Sequence, residues 1–137
     1  MEQNLNLEIV SPVKMVYNDV IDSVTVPGTN GSFQVLKNHA PLISTFTLGK
    51  IKIRKGQETI VYSTSGGVFE VKNNKAVVLA ESIESVEEID LERAKLAKIR
   101  AEQILELAET TEDEAKEAKE ALQRAINRLK IADKGNK

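Results

Sequence analysis

With 137 residues and 15.1 kDa, this chain has room for one domain and an appendage, not for two ordinary domains. Its 41% hydrophobic and 29% charged residues exclude a disordered chain, and a formal charge of −2 excludes nucleic-acid binding by bulk electrostatics. The absence of cysteine and the single histidine, His39, exclude disulfides, thiol catalysis and metal sites built on several Cys or His ligands. No apolar run approaches the roughly 18 residues of a membrane span. The start, Met1-Glu2-Gln3-Asn4, has neither the basic nor the apolar region of a signal peptide. The expectation is a globular protein on the cytosolic side, without direct membrane insertion.

Taken in chain order, the first elements read as short strands. Leu5, Leu7 and Ile9 alternate with Asn6, Glu8 and Val10, and Val20, Asp22, Val24 and Val26 alternate with Ile21, Ser23 and Thr25. In Lys50-Ile51-Lys52-Ile53-Arg54 two isoleucines point one way and three cations the other. Period two with β-branched residues marks a half-buried strand. Further strands are expected at 13–16, 32–35, 42–46, 59–63, 68–71 and 76–80. Turn signals separate them at Pro27-Gly28-Thr29-Asn30-Gly31, Leu48-Gly49, Lys55-Gly56, Ser65-Gly66-Gly67 and Asn73-Asn74. Many short strands at this spacing predict a β-sandwich or barrel.

Near residue 86 the composition switches. All aromatic residues, all prolines and every glycine but Gly135 lie before it, whereas more than half of the basic and of the acidic residues and nine alanines follow. Asp90 can cap a helix whose stripe runs through Leu91, Ala94, Ala97, Ala101, Leu105 and Ala108 to about Glu109. Thr111 with Glu114 has capping-box spacing and opens a second helix striped by Ala115, Ala118, Leu122, Ala125, Leu129 and Ala132. Small residues on facing stripes and a connection of a few residues predict an antiparallel helical hairpin. The chain is therefore read as α+β, with a β domain at 1–86 and a hairpin at 87–137.

The string over residues 22–43, D-S-V-T-V-P-G-T-N-G-S-F-Q-V-L-K-N-H-A-P-L-I, resembles the epsilon subunits of rotary ATP synthases. There a P-G-x-x-G-x-F/L segment leads into an H-A-P-L turn. The likeness continues through Gly49-Lys50-Ile51-Lys52-Ile53, Ser65-Gly66-Gly67-Val68-Phe69-Glu70-Val71, Val77-Val78-Leu79-Ala80-Glu81 and Arg124-Ala125-Ile126-Asn127-Arg128-Leu129. The resemblance implies an N-terminal antiparallel β-sandwich of two small sheets followed by the helical hairpin. It also implies a non-catalytic central-stalk subunit of a proton-translocating complex, peripheral on the cytoplasmic side of a cell (plasma) membrane. In the family the sandwich binds the gamma subunit and sits on the c-ring. The hairpin lies folded or extends toward the alpha and beta subunits to restrain ATP hydrolysis. Carried over, the ring-facing positions are Gly31, Ser32 and Phe33 with Asn38, His39 and Pro41. The family often has an acid at Ser32 and a glycine at Gln34, so the ring contact differs in detail here.

Ile89-Asp90-Leu91-Glu92-Arg93-Ala94 is similar to the I/L-D-x-x-R-A pattern of family members that bind ATP, and the family's other ligand positions fall on Glu84, Arg100, Arg124 and Arg128. The resemblance thus implies ATP, with magnesium as its companion, as a regulatory ligand and no obligatory cofactor. Independently, Arg93 and Arg100 are seven apart on one helix and Arg124 and Arg128 four apart on the other. Guanidinium forks gathered across a hairpin suit phosphate oxygens. The alternative is that Asp90 only caps and that Glu92, Glu117 and Glu120 hold these arginines in solvated ion pairs. Arg124, Arg128, Lys130 and Lys134 also give the last turns a positive face. In the family this region meets an acidic segment of beta when extended; alternatively, cations simply suit a helix C-terminus.

Two other functions compete: a free-standing sandwich for a small ligand or carbohydrate, and an enzyme built on His39 with Asp22 and Ser44. No G-x-x-x-x-G-K-[ST] loop is present, and Gly66-Gly67 reads as a bulge or tight hairpin rather than a phosphate cradle. No nucleophile motif surrounds His39.

Overall fold

The computed structural model describes residues 4–107 and 109–135, the side chains of Lys134 and Gly135 excepted. Two compact units meet in sequence between Ser85 and Val86. The first holds seven strands: β1 (Leu5–Val10), β2 (Met15–Ile21), β3 (Ser23–Val26), β4 (Phe33–Leu36), β5 (Leu42–Lys55), β6 (Glu58–Lys72) and β7 (Lys75–Ser85). Their ladder is continuous in the order β2-β1-β7-β6-β5-β3-β4. All pairs are antiparallel except β1 with β7.

Connectivity forces this ladder to curl. β2 is one edge and β3 is next to the other, yet only Asp22 separates them. A flat sheet cannot meet both conditions. Asp22 carries the crossing: its N–H donates to Arg54 O at 2.8 Å and its Oδ2 accepts from Gly56 N at 2.6 Å. The sequence reading ran one strand from Val20 to Val26 with Asp22 beside the valines. Instead Ile21 and Val24 both face inward, because the chain changes layers at Asp22. One core results, from Leu5, Leu7 and Ile9 of β1, Val24 and Val26 of β3, Val35 of β4, Ile51 and Ile53 of β5, Phe69 and Val71 of β6, and Ala76 and Val78 of β7.

Leu48-Gly49 and Ser65-Gly66-Gly67 were expected to end strands, but β5 and β6 run through both. They are where the layers bend. Inward residues change parity there, from Phe46 to Ile51 on β5 and from Tyr62 and Thr64 to Phe69 and Val71 on β6. The register of β6 on β7 shifts at Gly66 and Gly67, so the bulge reading of this pair holds. Gly66 needs its φ of +129°, and a Cβ on Gly67 would stand 2.0 Å from Leu79 O.

The second unit begins with one 3-10 turn at Val86–Glu88, then α1 (Leu91–Glu106) and α2 (Glu112–Gly135). Asp90 caps α1 as expected, its Oδ1 accepting from Arg93 N at 3.1 Å. Thr111 caps α2, its Oγ1 accepting from Glu114 N at 3.1 Å. α1 stops three residues before the expected Glu109. Thr110 Oγ1 donates to Ile104 O at 2.8 Å, and Leu107 N donates to the same carbonyl at 3.2 Å. Ala108 lies outside the described residues. Ala94 and Ala101 of α1 and Ala118 and Ala125 of α2 are buried, each pair one heptad apart, which makes a seam of small residues. Leu96, Ile99, Leu107 and Ile126 stay exposed.

Candidate functional site

On the sandwich, β-register places an apolar row on the outer face. Val68 pairs with Leu79, Leu79 with Val10, and Val10 with Met15. Leu79 and Met15 are 53% and 52% exposed, and Val13, in the connection between β1 and β2, is 87% exposed. Four strands thus present a connected apolar surface to solvent, the signature of an interaction face. Strand 76–80 carried the signal: Val77-Val78-Leu79-Ala80 is apolar at both parities, so both of its faces are apolar.

The two loops implied by the family resemblance flank this face at β5. Thr29 N donates to Thr45 O at 3.2 Å and the two threonine hydroxyls stand 2.8 Å apart, while Thr45 pairs with Val68. Gly31, with φ of +125°, and Ser32 are exposed, but Phe33 turns inward, its ring 5.5 Å from that of Phe69 in an edge-to-face contact. Phe33 therefore packs on the core.

Asn38 and Pro41 are exposed and His39 half-buried. The turn they form is tied down by Asn74, which the sequence marks only as part of the Asn73-Asn74 turn. Asn74 Oδ1 accepts from Asn38 N at 2.6 Å and its Nδ2 donates to Asn38 Oδ1 at 3.0 Å. Both asparagines hold left-handed backbone, with φ of 69° at Asn38 and 61° at Asn74. His39 Nδ1 lies 2.7 Å from Ala40 O, Ser44 Oγ donates to Thr45 O, and Asp22 Oδ2 accepts from Gly56 N. The three residues of the His39 enzyme reading are thus engaged in separate local hydrogen bonds.

On the edge of the first unit, Asp19 and Lys55 form an ion pair. The hydrogen bond from Lys55 holds the Asp19 carboxyl below its usual range, and Asp19 in turn raises the Lys55 ammonium. Beside them Tyr17 packs edge-on against Tyr62 at 6.3 Å; its hydroxyl is buried without a hydrogen-bond partner, and burial raises its pKa.

On the hairpin, a groove of about 460 Å³ runs between the helices. Ala97, Ala101, Ile104, Leu107, Ala118 and Ala121 line it, with Arg100 on the α1 side and Glu114 and Glu117 on the α2 side. Helical periodicity locates the other arginines. Arg93 is one heptad before Arg100, Arg124 one heptad after Glu117 and Arg128 one heptad after Ala121, so each falls within about 20° of a groove residue. All four share the groove side of the hairpin. They do not share one level. Ala94 and Ala125 each lie a heptad, about 10 Å of helix rise, from the groove residues Ala101 and Ala118, toward the open end. Arg93 and Arg124 lie at that level, Arg128 a turn beyond, and Arg100 apart from them beside the two glutamates. Glu92 stands 3.7 Å from Lys95 rather than serving an arginine. Ile89 is buried behind the Asp90 cap and Ala94 sits in the seam. Glu84 lies on β7 of the first unit, paired with Ser63. Lys130 is exposed, and the side chain of Lys134 is outside the described residues. Among the described residues no acidic or histidine cluster could hold a metal, and no helix is long and apolar enough to cross a membrane.

A curled seven-stranded sandwich with an exposed apolar row, followed by a hairpin with a small-residue seam, defines a two-part class of protein, β-sandwich then helical hairpin. The β-sandwich domain of the ATP synthase delta/epsilon chain matches residues 4–86, and the long α-helix domain of the same chain matches residues 87–133. The chain belongs to the ATP synthase delta/epsilon chain family. Relatives include ATP synthase epsilon chains of Leptospira borgpetersenii (43% identical over 56% of this chain and 61% of that one) and Nitratidesulfovibrio vulgaris strain Miyazaki F (46% over 61% and 63%). The epsilon chain of Chlorobaculum tepidum is 40% identical over 60% of this chain and 94% of its own. The first of these matches span under two thirds of the relatives' length. The fold is shared with a chain in the Euglena gracilis mitochondrial ATP synthase OSCP/F1/c-ring structure (TM-score 0.82, 19% identity, 94% of this chain and 81% of that one). A chain of the Tetrahymena thermophila central stalk/c-ring structure gives TM-score 0.64 at 16% identity, over 96% and 98%.

Proposed function

We propose that this chain is a central-stalk epsilon subunit of a rotary ATP synthase, peripheral on the cytoplasmic side of the membrane and without catalysis of its own. Its sandwich couples the gamma subunit to the c-ring, and its hairpin exchanges between a retracted state and one extended toward the alpha and beta subunits that restrains ATP hydrolysis. The observation that carries this reading is the apolar row Val68–Leu79–Val10–Met15: a large uncovered face on a well-packed sandwich calls for a permanent partner. Arg124, Arg128, Lys130 and Lys134 supply the positive face for an acidic segment of beta.

ATP is proposed as the ligand that favours the retracted state. Arg93, Arg124 and Arg128 gather on one side of the hairpin, where their like charges repel and a triphosphate with its magnesium relieves the repulsion. Ile89, Asp90 and Ala94 shape the start of α1, Glu84 and Arg100 complete the set that the family resemblance implies, and ATP stabilises the state it binds by RT ln(1 + [ATP]/Kd).

Two measurements test the proposal. Leu79→Asp should abolish co-purification with the gamma subunit and c-ring while leaving the thermal midpoint of the isolated chain unchanged; retained capture refutes the docking face. Calorimetric titration with Mg-ATP should show saturable binding that the Arg93→Ala, Arg124→Ala pair loses. No heat in the wild type refutes the nucleotide role and leaves the stalk role standing.

A further inference from the structure

The turn between β3 and β4 carries a reactive pair, Asn30 and Gly31, whose chemistry none of the functions above uses. Asn30 is the only asparagine in the chain followed by glycine, and Asn30 and Gly31 are both exposed. From this geometry we infer that Asn30 is a site of spontaneous modification, at which the turn converts its own neutral amide to an aspartate or isoaspartate.

The reaction needs a backbone nitrogen that can reach the preceding side chain. The amide nitrogen of Gly31, deprotonated by hydroxide, attacks Cγ of Asn30. The N–Cγ bond forms, the Cγ–Nδ2 bond breaks, and ammonia leaves with the proton it takes from water. The product is a five-membered succinimide. Water then opens either ring carbonyl: cleavage at Cγ gives aspartate, and cleavage at the α-carbonyl gives isoaspartate, with one methylene added to the main chain. The balance is one water in and one ammonia out, with no other reactant.

What normally slows this attack is the side chain of the following residue, and here there is none. Nothing lies within 4 Å of the position a Cβ would take on Gly31, so no side chain and no neighbouring group crowds this residue on that side. Other asparagines lack this opening. Asn38 and Asn74 are followed by His39 and Lys75 and are bound to each other, and Asn18 lies within β2 before Asp19. One feature of the turn opposes the reaction: Gly31 N donates to Gly28 O at 3.0 Å. Ring closure therefore waits on opening of this turn, and opening a surface turn costs little beside global unfolding. The native rate is set by that opening and lies below the rate of the unfolded chain.

The product does not fit the turn it forms in. Gly28 bridges to Phe46, and Thr29 holds Thr45 through backbone and hydroxyl. An added methylene at residue 30 pulls against these ties, and either product places a carboxylate beside Ser32 where the chain was neutral.

The test is incubation of the full chain at neutral and mildly alkaline pH, followed by peptide mass mapping and enzymatic methyl labelling of isoaspartate. The amide-to-acid mass gain should appear on the tryptic peptide of residues 15–37. Fragment ions should place it at Asn30 and not Asn18, and its rate should rise with pH and rise severalfold again in urea. Asn30→Gln should abolish it. Gly31→Ala should slow it severalfold, and because alanine is strained at that φ, the Asn30→Gln result decides if the turn is disturbed. No gain at Asn30 in the native chain under conditions that convert the urea-unfolded chain overturns the inference. Equal gain at Asn18 or Asn73 overturns it as well.

Discussion

Replacing Asn74 by alanine tests how the 38–41 turn is held. The substitution removes two hydrogen bonds to Asn38, at 2.6 and 3.0 Å, from a residue only 9% exposed. Leaving a part-buried amide without its partner costs about 1–3 kcal/mol. Alanine must also hold the left-handed φ of 61°, at a cost of roughly 1–2 kcal/mol. The bond from Asn6 N to Asn74 O, at 2.9 Å, survives because it is backbone to backbone. The expected loss is about 2–5 kcal/mol, which lowers the midpoint of a domain this size by on the order of 10 °C. Asn74→Gly separates the two causes, since glycine accepts the backbone and loses only the hydrogen bonds. It should recover about 1 kcal/mol relative to alanine. Asn38→Ala combined with Asn74→Gly should be less than additive, because the Nδ2–Oδ1 bond between them is lost in either single variant. Urea unfolding followed by circular dichroism reads all four proteins. Equal stability of the alanine and glycine variants refutes the backbone argument, and full additivity refutes the clamp.

Gly67→Ala should destabilise the sandwich by more than about 3 kcal/mol, because the new methyl meets a backbone carbonyl at 2.0 Å that cannot swing away; thermal unfolding checks this. Tyr17→Phe should leave the melting temperature unchanged or raised, since it deletes a buried hydroxyl with no partner; a fall equivalent to about 1 kcal/mol refutes this. The Asp19–Lys55 pair sets a pH window. The folded carboxyl lies below its ordinary 3.8, so its contribution is present above that value and fades as pH falls through the folded pKa. Urea midpoints of wild type and Asp19→Asn should therefore differ at neutral pH and converge as the pH falls below 3.8 and through the folded pKa.

Local chemistry was legible in the sequence where one residue decides the outcome. Asp90 and Thr111 cap their helices, and the paired glycines at 66 and 67 form a bulge, because each follows from a single side chain or its absence. The strand count was not legible. Leu48-Gly49 and Ser65-Gly66-Gly67 carry the composition of turns, but a bend inside a long strand needs the same residues as a turn between two short ones. Only cross-strand pairing tells them apart. The layer change at Asp22 was hidden for a related reason: alternation continues through it in sequence while the inward parity reverses in space. The four arginines were visible, but their levels along the hairpin depend on how Ala94, Ala101, Ala118 and Ala125 mesh. Asn38 and Asn74 were each visible as turn residues, but their contact was not, because they lie 36 residues apart and no local pattern joins them.

The parallel pairing of β1 with β7 fixes an order of events during synthesis. Leu7 aligns with Ala76 and Ile9 with Val78, so the first strand made must wait for the last of the sandwich before its second edge is paired. The antiparallel neighbours β5, β6 and β7 close through short turns and can form as they emerge. Until residues 75–79 leave the ribosome, β1 can pair only with β2, and its other edge stays open. A stalled or truncated chain ending before them is thus an aggregation-prone fragment, and one that lacks only the hairpin keeps every strand its core requires.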